Sequence, residues 1–301
     1  MKNNNVKTIK NPLEKTAHIV LIILSLSAIL PFLLMIISSF TDDTTLVRYG
    51  YSFFPQKLSL AAYNYLWIQK FMILKAYGIT VLMTVVGTSV SLVITSMLAY
   101  ALSRKDFRMR NKLSFFVFFT MLFNGGLVPT YLLYTQYLGL KNTLLTLLLP
   151  GLLMNGFNVL IMKTYFATNI PDAVVESAFI DGAGKFRTFI EIAVPLSYPI
   201  FAVIGLFVGI AYWNDWYNGL IYITNPELFN IQNLLNRILM NVQYLSTTNT
   251  GSSEVANLLS KLPSVSIRMA LATIGVIPIL AAYPFFQRYF VKGIAIGAVK
   301  G

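Results

Sequence analysis

Long apolar runs alternate along this chain with short polar turns. The runs cover residues 17–40, 74–103, 113–134, 143–162, 196–216 and 266–286. A helix needs roughly 20 apolar residues to cross the hydrocarbon core of a bilayer. The pattern therefore predicts an all-α integral membrane protein with six transmembrane helices. The third run is interrupted by Asn124-Gly125-Gly126 and by Pro129. A span tolerates such a break where neighbouring helices or a wet cavity satisfy the backbone. Within the second run, Thr80, Thr84, Thr88, Ser91 and Thr95 follow one another at steps of four, four, three and four, which is one face of a helix. Two readings fit that stripe. Small hydroxyl residues let membrane helices pack closely, and the same hydroxyls could line a polar path.

The polar stretches set the orientation. Residues 104–112 carry Arg104, Lys105, Arg108, Arg110 and Lys112, five positive charges in nine residues. Lys and Arg collect in cytoplasmic loops, so this turn is placed inside, as are residues 1–16, 163–195 and the tail 287–301. Those four segments hold 15 of the 23 Lys and Arg residues. Both termini then lie in the cytoplasm. Residues 1–16 form a cytoplasmic N-terminal segment, and residues 17–301 a single transmembrane domain with a cytoplasmic loop at 163–195 and a cytoplasmic tail at 287–301. The segments 41–73, 139–142 and 219–265 fall outside, the last polar from Ser246 to Glu254. A cleavable signal peptide is the rival reading of the first run. Its apolar core would be roughly 7–15 residues before a small-residue cleavage site, whereas this run is longer and ends Ser38-Ser39-Phe40. No internal repeat and no separate soluble domain stand out.

Composition agrees and removes several classes of function. Only 11% of the residues are charged and 56% are hydrophobic, against roughly 25% charged for soluble domains. The net charge of +12 could suggest nucleic acid, but a membrane protein with basic inner loops accounts for it. There is no cysteine, hence no disulfide, thiol nucleophile or cysteine-bound metal. The one histidine, His18, falls at an expected membrane interface and reads as a surface residue. No metal site and no catalytic set is assembled. The segment GxxxxGK[ST] that would cradle nucleotide phosphates is missing too.

The longest charged, helix-patterned stretch between apolar runs is 171–196, PDAVVESAFIDGAGKFRTFIEIAVPL. Pro171 suits a first helical position, where its missing N–H has no intrahelical partner. Asp172 would sit in the first turn, favoured by the helix dipole. Ala173, Val174, Ala178 and Ile180 supply a short apolar side, and Gly182 and Gly184 end the helix. A second helix is expected over 185–194, with Pro195 before the next run. This is a helix–turn–helix lying between two spans. Elsewhere, the fourth span carries Asn155 and Asn158, and the fifth ends Tyr212-Trp213-Asn214-Asp215-Trp216-Tyr217-Asn218. Aromatic faces stack on sugars while Asn and Asp bond hydroxyls. The same residues also suit an aromatic belt at a membrane interface.

The hairpin resembles the EAA loop of bacterial ABC importer permeases. That pattern runs Glu-Ala-Ala, three residues, Gly, nine residues, Ile, any residue, Leu-Pro. Here Glu176-Ser177-Ala178, Gly182, Ile192 and Pro195 keep the full spacing, with Ser177 and Val194 as the two departures. The tail, Phe285 to Gly293 and then Gly297-Ala298-Val299-Lys300-Gly301, is similar to the end of maltose-type, carbohydrate-importing permeases. The stretch Phe123-Asn124-Gly125-Gly126 through Pro129-Thr130-Tyr131 is similar to a subgroup linked with oligosaccharides. The resemblance implies the type I importer permease fold in a bacterial plasma membrane. It implies a paired permease subunit of related sequence, two ATPase subunits carrying ATP and Mg, and an extracytoplasmic sugar-binding protein. It also implies that Glu176, Ser177, Ala178, Asp181, Gly182, Ala183 and Gly184 dock the ATPase. Asn155, Asn158, Trp213, Asn214, Asp215 and Trp216 are the candidates for the sugar path. A permease for peptides or amino acids would share the docking loop. An ion-coupled carrier would keep ionisable groups in mid-membrane, and the acidic residues here lie in loops or near span ends.

Overall fold

The computed structural model describes residues 12–247 and 264–298, and the described residues are almost entirely helical. The chain divides into two compact units, passing from one to the other between Gln69 and Lys70, between Ile238 and Leu239, and between Val276 and Ile277.

The first unit opens with α1 (Pro12–Ser39), whose apolar side chains from Ile19 to Leu33 are exposed. His18 lies on it, exposed. Two short helices, α2 (Asp43–Tyr49) and α3 (Ala61–Ile68), occupy the expected outer loop. Asp42 caps α2 by accepting from the Thr44 backbone N–H at 3.2 Å. The Thr44 hydroxyl first, then Lys57, and that backbone bond last, hold its carboxyl below the usual carboxylate range. Phe40 stacks on Tyr63 at 4.7 Å, and the Tyr63 and Ser39 hydroxyls share a 2.8 Å bond. Asp43 accepts from the backbone N–H groups of Val265 and Ser266 at 2.8 and 2.9 Å. It thereby satisfies N–H groups that the start of the last helix leaves open.

The second unit is built on α4 (Lys70–Ser103), a helix of 34 residues. It is followed by α5 (Arg110–Leu122), α6 (Leu127–Leu132) and α7 (Leu145–Leu148). Next come α8 (Gly156–Asn169), α9 (Asp172–Ile180), α10 (Lys185–Thr188) and α11 (Val194–Leu196). A π-type turn, Phe189–Ala193, joins α10 to α11. Then come α12 (Tyr198–Trp213), α13 (Tyr217–Tyr222) and α14 (Ile231–Thr247), which passes into the first unit after Ile238. The last helix, α15 (Ser264–Ala298), crosses from the first unit into the second and contains Pro278 and Pro284. The core gathers Ala99, Leu102, Met162, Phe166, Phe189, Ile204 and Tyr212 between α4, α8, α12 and the hairpin. α12 lies against α4 because the contact is cut to glycine size. A Cβ placed on Gly87 would stand 2.4 Å from the Tyr212 ring. Along the same contact, Gly209 faces Thr88 and Gly205 faces Leu92.

The polar stripe divides, with Thr84 and Thr88 lining a groove beside α12 and the other three residues packed. Thr80, Ser91 and Thr95 are buried. Thr80 Oγ1 accepts from the Ile231 N–H at 2.8 Å and anchors the start of α14.

Several elements differ from the sequence reading. Three helices among the described residues are long and apolar enough to cross a membrane: Lys15–Ser39, Lys70–Ser103 and Tyr198–Tyr222. The third run is a broken pair, Arg110–Leu122 and Leu127–Tyr137, bent by 110°. Gly126, at φ 83°, makes the bend possible. The expected fourth span, 143–162, is not one helix. Pro150 and Gly151 (φ 72°) interrupt it, and Asn155 then caps a new helix that runs on to Asn169. Val265–Ala281 is a shorter apolar stretch. α14 fills part of the expected outer segment. Thr248 to Glu254 of its polar stretch lie outside the described residues, as do residues 1–11 and Val299-Lys300-Gly301.

Candidate docking hairpin and polar cluster

The hairpin is formed as expected, with its details moved. α9 ends in two nested bonds: the Gly182 N–H donates to the Phe179 carbonyl at 3.1 Å, and the Ala183 N–H to the Ala178 carbonyl at 2.9 Å. That pair is the Schellman stop, which needs a left-handed residue at its second-last position. Gly182 supplies it at φ 82°. Gly184 has an ordinary φ of −71° and starts α10 instead. Pro171 precedes the first helical residue rather than occupying it.

The hairpin is seated by only one of the side chains the pattern suggested, Ala178; Ala173, Val174 and Ile180 are exposed. Val175 and Ala178 are buried, and Phe189 joins the same core from α10's continuation. Ile180 points away at 86% exposed, and Phe186 is also exposed. The outward surface therefore carries Glu176, Ser177, Asp181 and Gly182 together with Ile180 and Phe186. Ala183 is half-buried, and Gly184 is exposed. The Ser177 hydroxyl donates back to the Val174 carbonyl at 3.0 Å, so this departure from alanine adds little free polarity.

Charge pairs tie the hairpin to the basic turn. Lys105 Nζ lies 2.7 Å and Arg104 3.7 Å from the Asp172 carboxylate. Lys185 lies 2.8 Å from Asp106, and Arg187 2.9 Å from Glu191. The Lys105 hydrogen bond holds Asp172 below the usual carboxylate range, and the Lys185 bond does the same for Asp106. Asp106 in turn raises Lys185. After these pairs are made, the acids of the hairpin left without a cation among the described residues are Glu176 and Asp181. A cleft of about 400 Å³ separates the hairpin from the end of α4, lined by Tyr100, Arg104, Phe107, Phe179, Phe186 and Phe189.

The six candidate pathway residues are not gathered into one site. Asn155 caps α8, its Oδ1 accepting from the Phe157 and Asn158 N–H groups at 2.9 and 3.4 Å. Asn158 is buried in the first turn of that helix. Trp213 lies 6.1 Å from the Tyr77 ring and closes a largely apolar groove of about 490 Å³. Thr84, Thr88, Gly205 and Gly209 line the same groove. Trp216 is exposed and meets Tyr217 edge-on at 6.0 Å. Asn214 Oδ1 accepts weakly from Gln232 at 3.4 Å. Asp215 Oδ1 accepts from the Asn218 N–H at 3.1 Å, while its buried Oδ2 has no hydrogen-bond partner.

Amide and guanidinium side chains that the sequence reading did not single out, together with Asn218, close irregular backbone in this part of the unit. Asn218 Nδ2 donates to the Pro150 carbonyl at 3.1 Å, and Asn230 Nδ2 to the Asp215 carbonyl at 2.5 Å. Arg237 donates to Asn233 and to the Ile223 carbonyl at 3.2 and 3.0 Å. The signal was a row of amides, Asn230, Gln232 and Asn233, opening a helical pattern in which Asn236, Arg237, Asn241 and Gln243 recur among apolar residues.

Residues 96–296 match the family described as binding-protein-dependent transport system inner membrane component. The chain belongs to that family. It is a multi-pass subunit of a transport system, not an enzyme, and the ion-coupled carrier reading is set aside. Among relatives, the Bacillus subtilis (strain 168) polygalacturonan/rhamnogalacturonan transport system permease protein YtcP is 38% identical over 281 residues, 93% of this chain and 96% of that protein. The arabinooligosaccharides transport system permease protein AraQ of Halalkalibacterium halodurans is 28% identical over 91% of this chain and 92% of its own length. A chain in the crystal structure of a bacterial ABC transporter involved in the import of the acidic polysaccharide alginate superposes with a TM-score of 0.76 at 27% identity. That match covers 92% of this chain and 96% of the other. In this family the glycine-stopped hairpin is the EAA loop, and its spacing in this chain is intact.

Proposed function

We propose that this protein is one permease subunit of an ATP-driven importer for oligosaccharides derived from acidic plant or microbial polysaccharides. The observation that carries the reading is the 38% identity to a polygalacturonan/rhamnogalacturonan permease along 93% of the chain. The likeness to the alginate importer, which also handles an acidic polymer, supports it. A peptide or amino-acid substrate has no such support.

In this reading the chain crosses the membrane six times with both termini in the cytoplasm. It pairs with a second, related permease subunit, and an extracytoplasmic binding protein delivers the sugar. Two ATPase subunits hold ATP and Mg and close on each other. The hairpin inserts into one of them and carries that closure into α4 and α12 through the Phe189 and Val175 contacts. Glu176 and Asp181 meet cations of the ATPase, and Ile180 and Phe186 fill its apolar groove. Trp213 and Trp216 flank the sugar path at the end of α12.

The test is reconstitution of the complete importer with its binding protein, comparing oligogalacturonides with neutral maltodextrins. Stimulation of ATP turnover and uptake by oligogalacturonides alone supports the reading. Stimulation by maltodextrins alone, or by peptides, overturns the substrate assignment. Purification of the chain as a carrier working without ATPase partners overturns the coupling assignment.

A further inference from the structure

The charge left over once every ion pair is assigned marks one more surface. Asp106, Asp172 and Glu191 each hold a cation. Arg108, Arg110, Lys112 and Lys163 are not answered in this way. None of the four forms an ion pair with a carboxylate among the described residues, and no acid occupies the first turn of α5. Lys163, on α8, donates to the Ser114 hydroxyl of α5 at 2.8 Å, so it joins the other three at the same end of that helix. Below them α5 turns an aromatic face outward. Phe115, Phe116, Phe119 and Phe123 are between 41% and 67% exposed. Phe115, Phe119 and Phe123 stand in a column, with ring centroids 6.3 and 4.4 Å apart. Lys112 lies on the same face, three and four residues before Phe115 and Phe116.

A surface that is cationic at its end and apolar along its length complements a molecule with an acidic head and a hydrocarbon tail. We infer that Arg108, Arg110, Lys112 and Lys163 hold the phosphate of an anionic phospholipid whose acyl chain lies along the phenylalanine column. An acidic segment of a partner protein answers the cations equally well. It does not answer the column, which continues from them along the first helix of the bent apolar pair. Anionic membrane surfaces attract neighbouring Lys and Arg side chains by about 1 kcal/mol each, a factor of roughly five.

The complete importer complex, purified in detergent, is titrated with phosphatidylglycerol or with phosphatidylcholine, and retained lipid is read by native mass spectrometry. Phosphatidylglycerol is expected to be retained in preference to phosphatidylcholine. Retention should fall about 25-fold in an Arg108→Gln/Lys112→Gln double variant, from two cations at about five-fold each. The charge-preserving Arg108→Lys/Lys112→Arg variant should keep it, which separates charge from misfolding. Equal retention of the two lipids by the wild type overturns the inference, as does undiminished retention by the double variant. So does a complex that retains no phosphatidylglycerol while the isolated chain does, because a partner protein then covers the cations. Lipid retention requires no transport, so failure here leaves the substrate reading standing, and failure of the substrate reading leaves this one standing.

Discussion

The hairpin at Asp172–Thr188 and the polar end of α12 both attracted a functional reading, and they use polar residues in opposite ways. In the hairpin, backbone bonds at Gly182 and Ala183 make the fold, and buried Val175 and Ala178 seat it. Glu176 and Asp181 are left facing solvent with no cation of their own chain among the described residues. At the end of α12 most polar side chains are engaged within the chain. Asn218 holds the Pro150 carbonyl, Asn230 the Asp215 carbonyl, and Arg237 the Ile223 carbonyl. The lesson is that the amides beside such a cluster serve the backbone as well as any ligand. Buried amides are first a means of closing irregular backbone, since an unpaired buried carbonyl costs about 1–3 kcal/mol.

The largest effect should come from Gly182→Pro. Proline cannot reach a φ of 82°, and it lacks the N–H that Phe179 accepts. Stimulated ATP turnover of the assembled importer should drop to its unstimulated level. The damage should stay within the hairpin, since a Cβ at Gly182 meets no neighbouring atom: α9 amides should lose protection while those of α4 and α12 keep it. Asn218→Ala should behave in the opposite way. It should lower stability by about 1–3 kcal/mol, seen as a fall in melting temperature, and leave stimulated turnover per folded complex near wild type. If turnover falls instead and stability does not, Asn218 belongs to the sugar path and the contrast fails.

A smaller effect divides the acids of the hairpin itself. Glu176→Gln should weaken binding of the ATPase subunit by up to about five-fold, the range of an exposed ion pair, without changing amide protection in α9. Asp172→Asn should loosen α9 amides in hydrogen exchange while affecting ATPase binding less. Titration should show the smallest change. Asp106 and Asp172 are held below the ordinary carboxylate value, which is about 3.9. Their contribution to seating the hairpin is thus complete above that pH and is lost as pH falls through their lower folded values. Lys185 is raised, so its contribution is complete below its ordinary value of about 10.4 and is lost only as pH climbs through a higher one. Hairpin amide protection should be flat from pH 5 to 8 and weaken in acid below about 4. Loosening near pH 6 would show that other groups hold the hairpin.

How much of this was legible depended on whether a signal is local. The Glu176–Gly182–Pro195 spacing is short-range, and both helices and the glycine stop followed from it. The long uniform runs gave α1, α4 and α12 for the same reason. The run at 143–162 misled because hydrophobicity outweighed its breakers. Pro150, Gly151 and the capping Asn155 divide it, and only the hydrogen bonds of Asn155 reveal that its role is to start a helix. α14 was hidden because its apolar residues are interleaved with Asn and Gln, and its buried face depends on distant partners. Thr80 lies 151 positions from the Ile231 N–H that it accepts. The hairpin's apolar side failed in detail. Ile180 and Val175 are five residues apart, and which one is buried depends on where the helix sits, not on its period.

Gly182 has a further consequence. No atom lies within 4 Å of the place where its side chain would stand, so this tip of the hairpin does not demand smallness. It demands a handedness that L-residues seldom adopt, since a positive φ is where their Cβ meets the adjoining carbonyl. A mirror-image residue removes that conflict. D-alanine at position 182, introduced by chemical ligation, should hold the turn more firmly than glycine by narrowing the freedom of the unfolded chain, while L-alanine at the same place should loosen it.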